Sequence, residues 1–481
     1  MKSIGKNYFY NILLMVFNTS FPLLTAPYIS RVLGAENLGV VNYSYSIVVM
    51  FAIFGAFGIP VYGMREISRV KDQDEINLIV SKLFKFSIIM SLALIPIYLF
   101  ISLNFFDKQT MYSLLIMTVI IIFTPFSFEW FFIGKENFRI VTIRSVFVKI
   151  VAFIIMLIFI KNSSHYLIYS GILAFSQVST YLVTFFASKK LWKKVHVKMK
   201  EVKKLLIHLL PFFLTLLIAS LFTVFDKILV GIFLDKTSVA LYFRNRQITM
   251  LAIGLTTALV RVLAPRLSSL YKTDKDEYLK VLKFSFNFLI LFTVPAIFGF
   301  ISLGSDILYI FGGDEFVGGY SSFILLSFWM IFASLNVFLD NQIGIPNNKE
   351  KITTITTIIV AISLITLSSF FTPRYGIVGS SFALLSAEAL GFIYQFSYYK
   401  MKGFIKFKIF DDSFIKVFIA SVIMFLTIEQ VSIYISTYLM IKVISLMILG
   451  IIVYFIALLI IRHEVWKQLI EVSKLLLRRN K

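Results

Sequence analysis

Five basic residues fall inside stretches otherwise built of Leu, Ile, Phe and Val: Lys227, Arg244, Arg246, Arg261 and Lys442, with Arg31 at the end of another such stretch. A cation surrounded by hydrocarbon costs at least several kcal/mol, so residues of this kind face a watery cavity or an opposite charge. The guanidinium fork matches the oxygens of a phosphate. Five acids share the same surroundings: Glu129, Asp226, Asp340, Glu388 and Glu429. A carboxylate there either exchanges a proton or a sodium ion or neutralises a basic neighbour.

Other chemistries find little support. There is no cysteine, hence no thiolate nucleophile or disulfide. The histidines His165, His196, His208 and His463 are scattered and form no zinc motif. No GxxxxGK[ST] phosphate loop occurs, which argues against direct ATP hydrolysis. Gly312-Gly313-Asp314-Glu315-Phe316 spells the diguanylate cyclase signature, but in a short loop between apolar runs rather than in a soluble α/β domain. No cofactor is expected.

The elements that hold these residues are membrane helices. Of the 481 residues, 59% are hydrophobic, and the mean hydropathy is +0.88. Soluble chains run nearer 45–50% apolar. Apolar runs long enough to cross the hydrocarbon lie near 10–29, 40–63, 84–104, 111–133, 146–160, 166–187, 209–233, 239–263, 284–304, 320–343, 352–371, 376–399, 414–433 and 439–461, fourteen in all; the fifth is short and can begin nearer Ile140. The net charge of +22 would suit nucleic acid in a soluble protein. Here the loops decide otherwise. With the N-terminus inside, the outer loops hold only Arg31, Lys108, Lys161, Lys236 and Arg374 of the 47 basic residues. This asymmetry puts both termini in the cytoplasm, in a multi-pass protein of the inner (cytoplasmic) membrane. Residues 189–208 form a lysine-rich cytoplasmic linker facing anionic lipid. Residues 462–481 read as a basic amphipathic tail along the inner surface.

An internal repeat fixes the architecture further. Arg65, Asp74-Glu75, Lys85-Phe86-Ser87 and Pro96 recur in order as Arg266, Asp276-Glu277, Lys283-Phe284-Ser285 and Pro295, and Ile133-Gly134 recurs as Ile343-Gly344. The repeat spans six helices, an even number, so both copies have the same orientation. The expected fold is all-α: a six-helix lobe over 1–188, the linker, a second six-helix lobe over 209–400, and two extra helices over 401–461. Two such lobes rocking about a cavity suit a transporter better than a receptor or scaffold.

The segment Thr25-Ala26-Pro27-Tyr28-Ile29-Ser30-Arg31-Val32-Leu33-Gly34, with Leu38-Gly39, Tyr43-Ser44-Tyr45-Ser46, Tyr62-Gly63-Met64-Arg65-Glu66-Ile67, Trp130-Phe131-Phe132-Ile133-Gly134 and Asp226-Lys227, resembles the Wzx-type polysaccharide-export flippases of the multidrug/oligosaccharidyl-lipid/polysaccharide exporter superfamily. The likeness is densest in the first 150 residues. It implies a fold like that of multidrug-and-toxin extrusion proteins. It also implies a polyprenyl-pyrophosphate-linked oligosaccharide, moved from the inner to the outer leaflet for capsule, O-antigen or exopolysaccharide synthesis, alongside other polysaccharide-assembly proteins and without nucleic acid. On that reading Arg31, Lys227, Arg244, Arg246 and Arg261 are candidates to bind the pyrophosphate. Glu129, Asp226, Asp340 and Glu388 are candidates to couple transport to H+ or Na+. Two alternatives compete. A multidrug antiporter of the same fold should have an acidic cavity. A membrane glycan polymerase needs a sizeable outer loop, and the longest here, about 304–319, is too small.

Overall fold

In a computed structural model the regular elements among the described residues are all helices. The structure describes residues 2–220, 224–408, 411–435 and 437–462, with 2–23 chiefly as backbone. The chain divides into two compact units, residues 1–240 and 241–481. The tail expected over 462–481 and His463 lie outside the described residues beyond Arg462.

The first unit contains α1 (Lys2–Ala56), α2 (Ile59–Arg69), α3 (Gln73–Asn104), α4 (Lys108–Phe123), α5 (Glu129–Gly134), α6 (Phe138–Phe159), α7 (Tyr166–Ser188), α8 (Met199–Ser220) and α9 (Asp226–Phe233). α10 (Lys236–Thr256) leads into the second, with α11 (Ala258–Thr273), α12 (Lys275–Gly312), α13 (Asp314–Val317), α14 (Tyr320–Leu339), α15 (Glu350–Met401), α16 (Asp412–Ser432) and α17 (Leu439–Ile460).

Eleven of the described helices are long and apolar enough to cross a bilayer, or twelve when α10 and α11, bent by 41° at their break, count as one span. Helices and crossings are not the same count. At about 1.5 Å per residue, the 52 residues of α15 would reach about 78 Å, more than twice the ~30 Å hydrocarbon core. Its ladder is broken at Gly376 (φ 58°, ψ −143°), and that of α1 at Gly34 (φ 75°, ψ 168°). Side chains with a Cβ avoid such dihedrals, so each glycine separates two helices within one continuous element. The region expected as the longest outer loop is mostly helix, since α12 runs on to Gly312.

The repeat read from sequence is visible within each unit. Asp72 caps α3 by accepting from the Glu75 N–H at 2.9 Å. Asp274 caps α12 by accepting from Asp276 and Glu277 at 3.1 and 2.9 Å. Such caps satisfy amides that have no partner within the helix. Lys85 donates to the Val197 carbonyl at 2.7 Å, and Lys283 pairs with Asp411 at 3.2 Å. Each therefore ties down the segment that follows α7 or α15. The first core gathers Phe86, Phe128, Phe131, Phe132, Phe185 and Trp192. There Gly63 lets the Trp130 ring lie against the α2 backbone, where a Cβ would come within 2.5 Å of it. The second core gathers Tyr278, Leu282, Leu289, Phe323, Phe338 and Leu446. The extra helices join it: Tyr454 donates to the Leu291 carbonyl at 2.8 Å, and Lys442 pairs with Asp306 at 3.4 Å.

Candidate functional site

A buried polar cluster of the second unit begins on α10. Arg244, Asn245 and Arg246 are consecutive, so about 100° of helical turn separates each from the next, yet all three are buried. Packing on several sides explains this. Asn245 donates to the Gly319 carbonyl at 2.8 Å and to Ser322 Oγ at 3.2 Å. Arg244 donates to Gln247 Oε1 and lies 5.8 Å from the Phe316 ring centre. Arg246 stacks over Trp329 at 4.2 Å, a cation–π contact that favours the flat guanidinium.

Trp329 opens a stripe along α14. Residues 329, 336 and 340 recur at helical spacing on one face, and α15 answers with residues 388 and 395. Asn336 donates to Glu388 Oε2 at 2.6 Å and to the Glu388 carbonyl at 3.2 Å. Asp340 accepts from Gln395 Nε2 at 2.6 Å and from Thr353 Oγ1 at 2.8 Å. Arg246 and Asp340 both lie within electrostatic reach of Glu388. Neither acid forms an ion pair with a described residue. Their partners are neutral donors, and the Asn336 Oδ1 and Gln395 Oε1 oxygens are buried without a donor among the described residues.

The first unit holds the counterpart. The shift that carries Arg65 to Arg266 carries Tyr45 to Arg246, and the shift that carries Ile133 to Ile343 carries Val178, next to Gln177, to Glu388. Tyr45 and Gln177 line one cavity, of about 300 Å³, with Ser87, Thr124, Trp130 and Tyr181. The equivalents of the charged pair are thus neutral. Charge lies beside this cavity instead: Glu129 Oε2 accepts from Arg144 Nη2 at 2.9 Å, and Arg144 Nη1 donates to the Thr180 carbonyl at 3.2 Å.

The remaining candidates are dispersed. Arg31 is exposed, and its Nη1 turns back to the Pro27 carbonyl at 3.2 Å. Asp226 is buried and accepts from the Lys227 N–H at 2.9 Å, with the Lys227 side chain half-buried. Arg261 is exposed on α11. The structure therefore brings Arg246, Asp340 and Glu388 into one cluster, with Arg244 beside it on α10. Arg31, Glu129, Asp226 and Lys227 belong to the other unit. Arg144, Asn336, Trp329 and Gln395 were not singled out in the sequence. The short fifth span was the available clue to Arg144, because α6 begins at Phe138 and encloses it.

A second cavity of the first unit, of about 520 Å³, is bounded by Tyr43, Met50, Phe51, Asp107, Phe225 and Lys236. Lys236 pairs with Asp107 at 3.1 Å and lies 4.6 Å from the Tyr43 ring centre.

Among known proteins, a family model described as polysaccharide biosynthesis protein matches residues 4–271. A "Putative O-antigen transporter" of Shigella dysenteriae is 24% identical over 391 residues, covering 79% of this chain and 97% of that one. A "Probable flippase AglR" of Haloferax volcanii is 27% identical over 177 residues, 35% of this chain and 36% of its own. A solved structure, "Lipid II flippase MurJ, inward closed conformation", superposes with TM-score 0.74 at 19% identity, covering 94% of this chain and 97% of that one. An inward-facing multidrug resistance MATE family transporter of the MOP superfamily gives 0.62 at 15% identity, with coverages of 81% and 96%. At these identities the likeness to solved structures is one of fold.

Proposed function

From the premise that this chain belongs to the polysaccharide biosynthesis protein family, we propose that it is a flippase for polyprenyl-pyrophosphate-linked oligosaccharide repeat units. It carries them from the inner to the outer leaflet of the cytoplasmic membrane for capsule, O-antigen or exopolysaccharide assembly. The chain is a multi-pass membrane transporter and not an enzyme. The finer topology belongs to the proposal: fourteen crossings with both termini cytoplasmic, and two six-helix lobes that open alternately. The glycine breaks in α1 and α15 and the Lys/Arg asymmetry of the loops support it.

One observation carries the reading: Arg244 and Arg246 are buried two residues apart on α10, with Arg246 in electrostatic reach of Glu388. A pyrophosphate cannot cross hydrocarbon bare, and guanidinium groups away from bulk water suit its oxygens. Arg31, Lys227 and Arg261 are further candidates to bind the pyrophosphate. Asp340 and Glu388 are the proposed coupling acids, with Glu129 and Asp226 as further candidates. An ionised carboxylate held by neutral donors is costly unless a proton or cation accompanies it. The buried oxygens of Asn336 and Gln395 would add hard ligands suited to Na+. Deletion of the gene should leave lipid-linked repeat units on the inner leaflet and remove surface polysaccharide. Arg244→Ala with Arg246→Ala should give the same phenotype in a protein that still inserts, and normal surface glycan in that double variant would remove the anion-site assignment.

A further inference from the structure

Between α7 and α8 the chain runs extended along α3, although it belongs to no sheet. Gln73 Nε2 donates to the Leu191 carbonyl at 2.9 Å. Asn77 Oδ1 accepts from the Lys193 N–H at 2.8 Å, and Ser81 Oγ accepts from the Val195 N–H at 2.9 Å. Lys85 Nζ donates to the Val197 carbonyl at 2.7 Å. The bonded positions fall every fourth residue on the helix and every second residue on the strap. Four helical residues rise about 6 Å and two extended residues about 6.7 Å, so the two periods stay in register over three turns. Buried Trp192, stacked on Phe128 at 5.8 Å, and buried Val197 pin the strap from within.

The strap is held by side chains of α3, so its own lysines have no part in anchoring its backbone. Lys189, Lys190, Lys193, Lys194, Lys198 and Lys200 are all exposed. The one acid of residues 189–204, Glu201, pairs with Lys82 at 2.8 Å. The matching segment of the second unit manages with Lys402, Lys406 and Lys408 and is fastened by the Lys283–Asp411 ion pair. Such charge density is therefore not a requirement of strap architecture. α3 continues from this ladder into its apolar stretch, so the lysines stand at successive heights over about 18 Å leading to the membrane surface.

We infer that the strap is a binding surface for lipid-borne phosphate groups of the adjoining leaflet. Ammonium groups on long flexible stems suit several mobile headgroups better than one fixed anion. The phosphate has two sources: a resident anionic phospholipid, or the pyrophosphate of the lipid-linked oligosaccharide. The second rests on the flippase reading and makes the strap its capture surface.

The test uses the full-length protein in nanodiscs of phosphatidylcholine alone, with phosphatidylglycerol added, or with a polyprenyl pyrophosphate added. Bound lipid is counted by native mass spectrometry for wild type and for Lys189→Gln/Lys190→Gln/Lys193→Gln/Lys194→Gln. Wild type should bind at least one anionic lipid about tenfold more tightly than the variant, with the difference shrinking as salt rises and absent for phosphatidylcholine. Preference for phosphatidylglycerol alone supports the surface and assigns it to resident lipid, leaving the flippase reading untouched. Equal binding of both anionic lipids by wild type and variant overturns the inference. If the fourfold variant does not accumulate, Lys193→Gln and Lys194→Gln singly should each weaken binding about twofold, and no change in either is equally fatal.

Discussion

The Glu129–Arg144 pair allows a prediction whose sign depends on which partner is removed. The Arg144 side chain is 4% exposed and that of Glu129 is 40% exposed. Glu129→Ala leaves a guanidinium enclosed, still donating to the Thr180 carbonyl. Stranding a buried charge costs about 3–5 kcal/mol, and the surviving bond places this case near the lower end, about 3 kcal/mol. Arg144→Met leaves a carboxylate that water already reaches, and Met fills much of the vacated space, so the loss should be nearer 1 kcal/mol. At roughly 2–4 °C per kcal/mol for a unit of this size, Glu129→Ala should lower the unfolding temperature by about 6–12 °C and Arg144→Met by about 2–4 °C. The double variant should recover most of the difference, because the stranded charge is gone. Thermal unfolding of the purified protein in detergent reads all three. If Glu129→Ala is no worse than Arg144→Met, or the double variant is the sum of the singles, the pair does not hold a buried cation. Glu129→Gln then separates the proposed roles: a structural acceptor tolerates the amide, whereas an ion-exchanging acid does not.

Arg246→Lys should lose most export despite keeping the charge, since an ammonium stacks less well on Trp329 and cannot form a fork; surface-glycan staining would detect it, and wild-type export would refute the stacking argument. Glu388→Gln should leave folding near normal, because Asn336 can still pair with an amide, while removing the dependence of transport on H+ or Na+ in proteoliposomes; an unchanged ion dependence would exclude this acid. Gly63→Ala should destabilise the first unit by about 1–3 kcal/mol through overpacking against Trp130, read as lower yield of folded protein. At Asp107, partial burial pushes the carboxyl up, but bonds from the Thr110 side chain and backbone and the charge of Lys236 outweigh it and hold it below the usual carboxylate range. Its stabilising contribution is therefore present at neutral pH and fades only as pH falls through that lowered value; Asp107→Asn should abolish this acid-sensitive component of a melting curve.

Much of this was readable from residue types because membranes penalise charge. Arg244, Arg246, Asp340 and Glu388 stand out against an apolar background, and the structure buries both arginines and puts neutral donors on both acids. The repeat was legible because an acid pair, a lysine and a helix proline recur in fixed order, although Asp72 and Asp274, which cap α3 and α12, were not among the residues matched. Asn336, Gln395 and Thr353 escaped because neutral polar residues are common in membrane helices and reveal their role only through partners far along the chain. Arg144 was placed beyond a helix end that hydropathy draws too late, since charge itself depresses the signal. The strap looked like a plain basic linker, because its hydrogen bonds depend on the matching pitch of α3, which local composition does not encode.

That strap also bears on how the chain assembles. The residues it joins are separated by 112 to 118 positions. At a synthesis rate of about 5–20 residues per second, α3 must wait on the order of ten seconds before its fastening emerges from the ribosome. Throughout that interval Gln73 and Asn77 have each other, at 3.1 Å, while Ser81 and Lys85 wait without their strap partners. Closure of the ladder thus marks the moment when the first unit's helices, through α7, have all been delivered, a built-in checkpoint on the order of insertion.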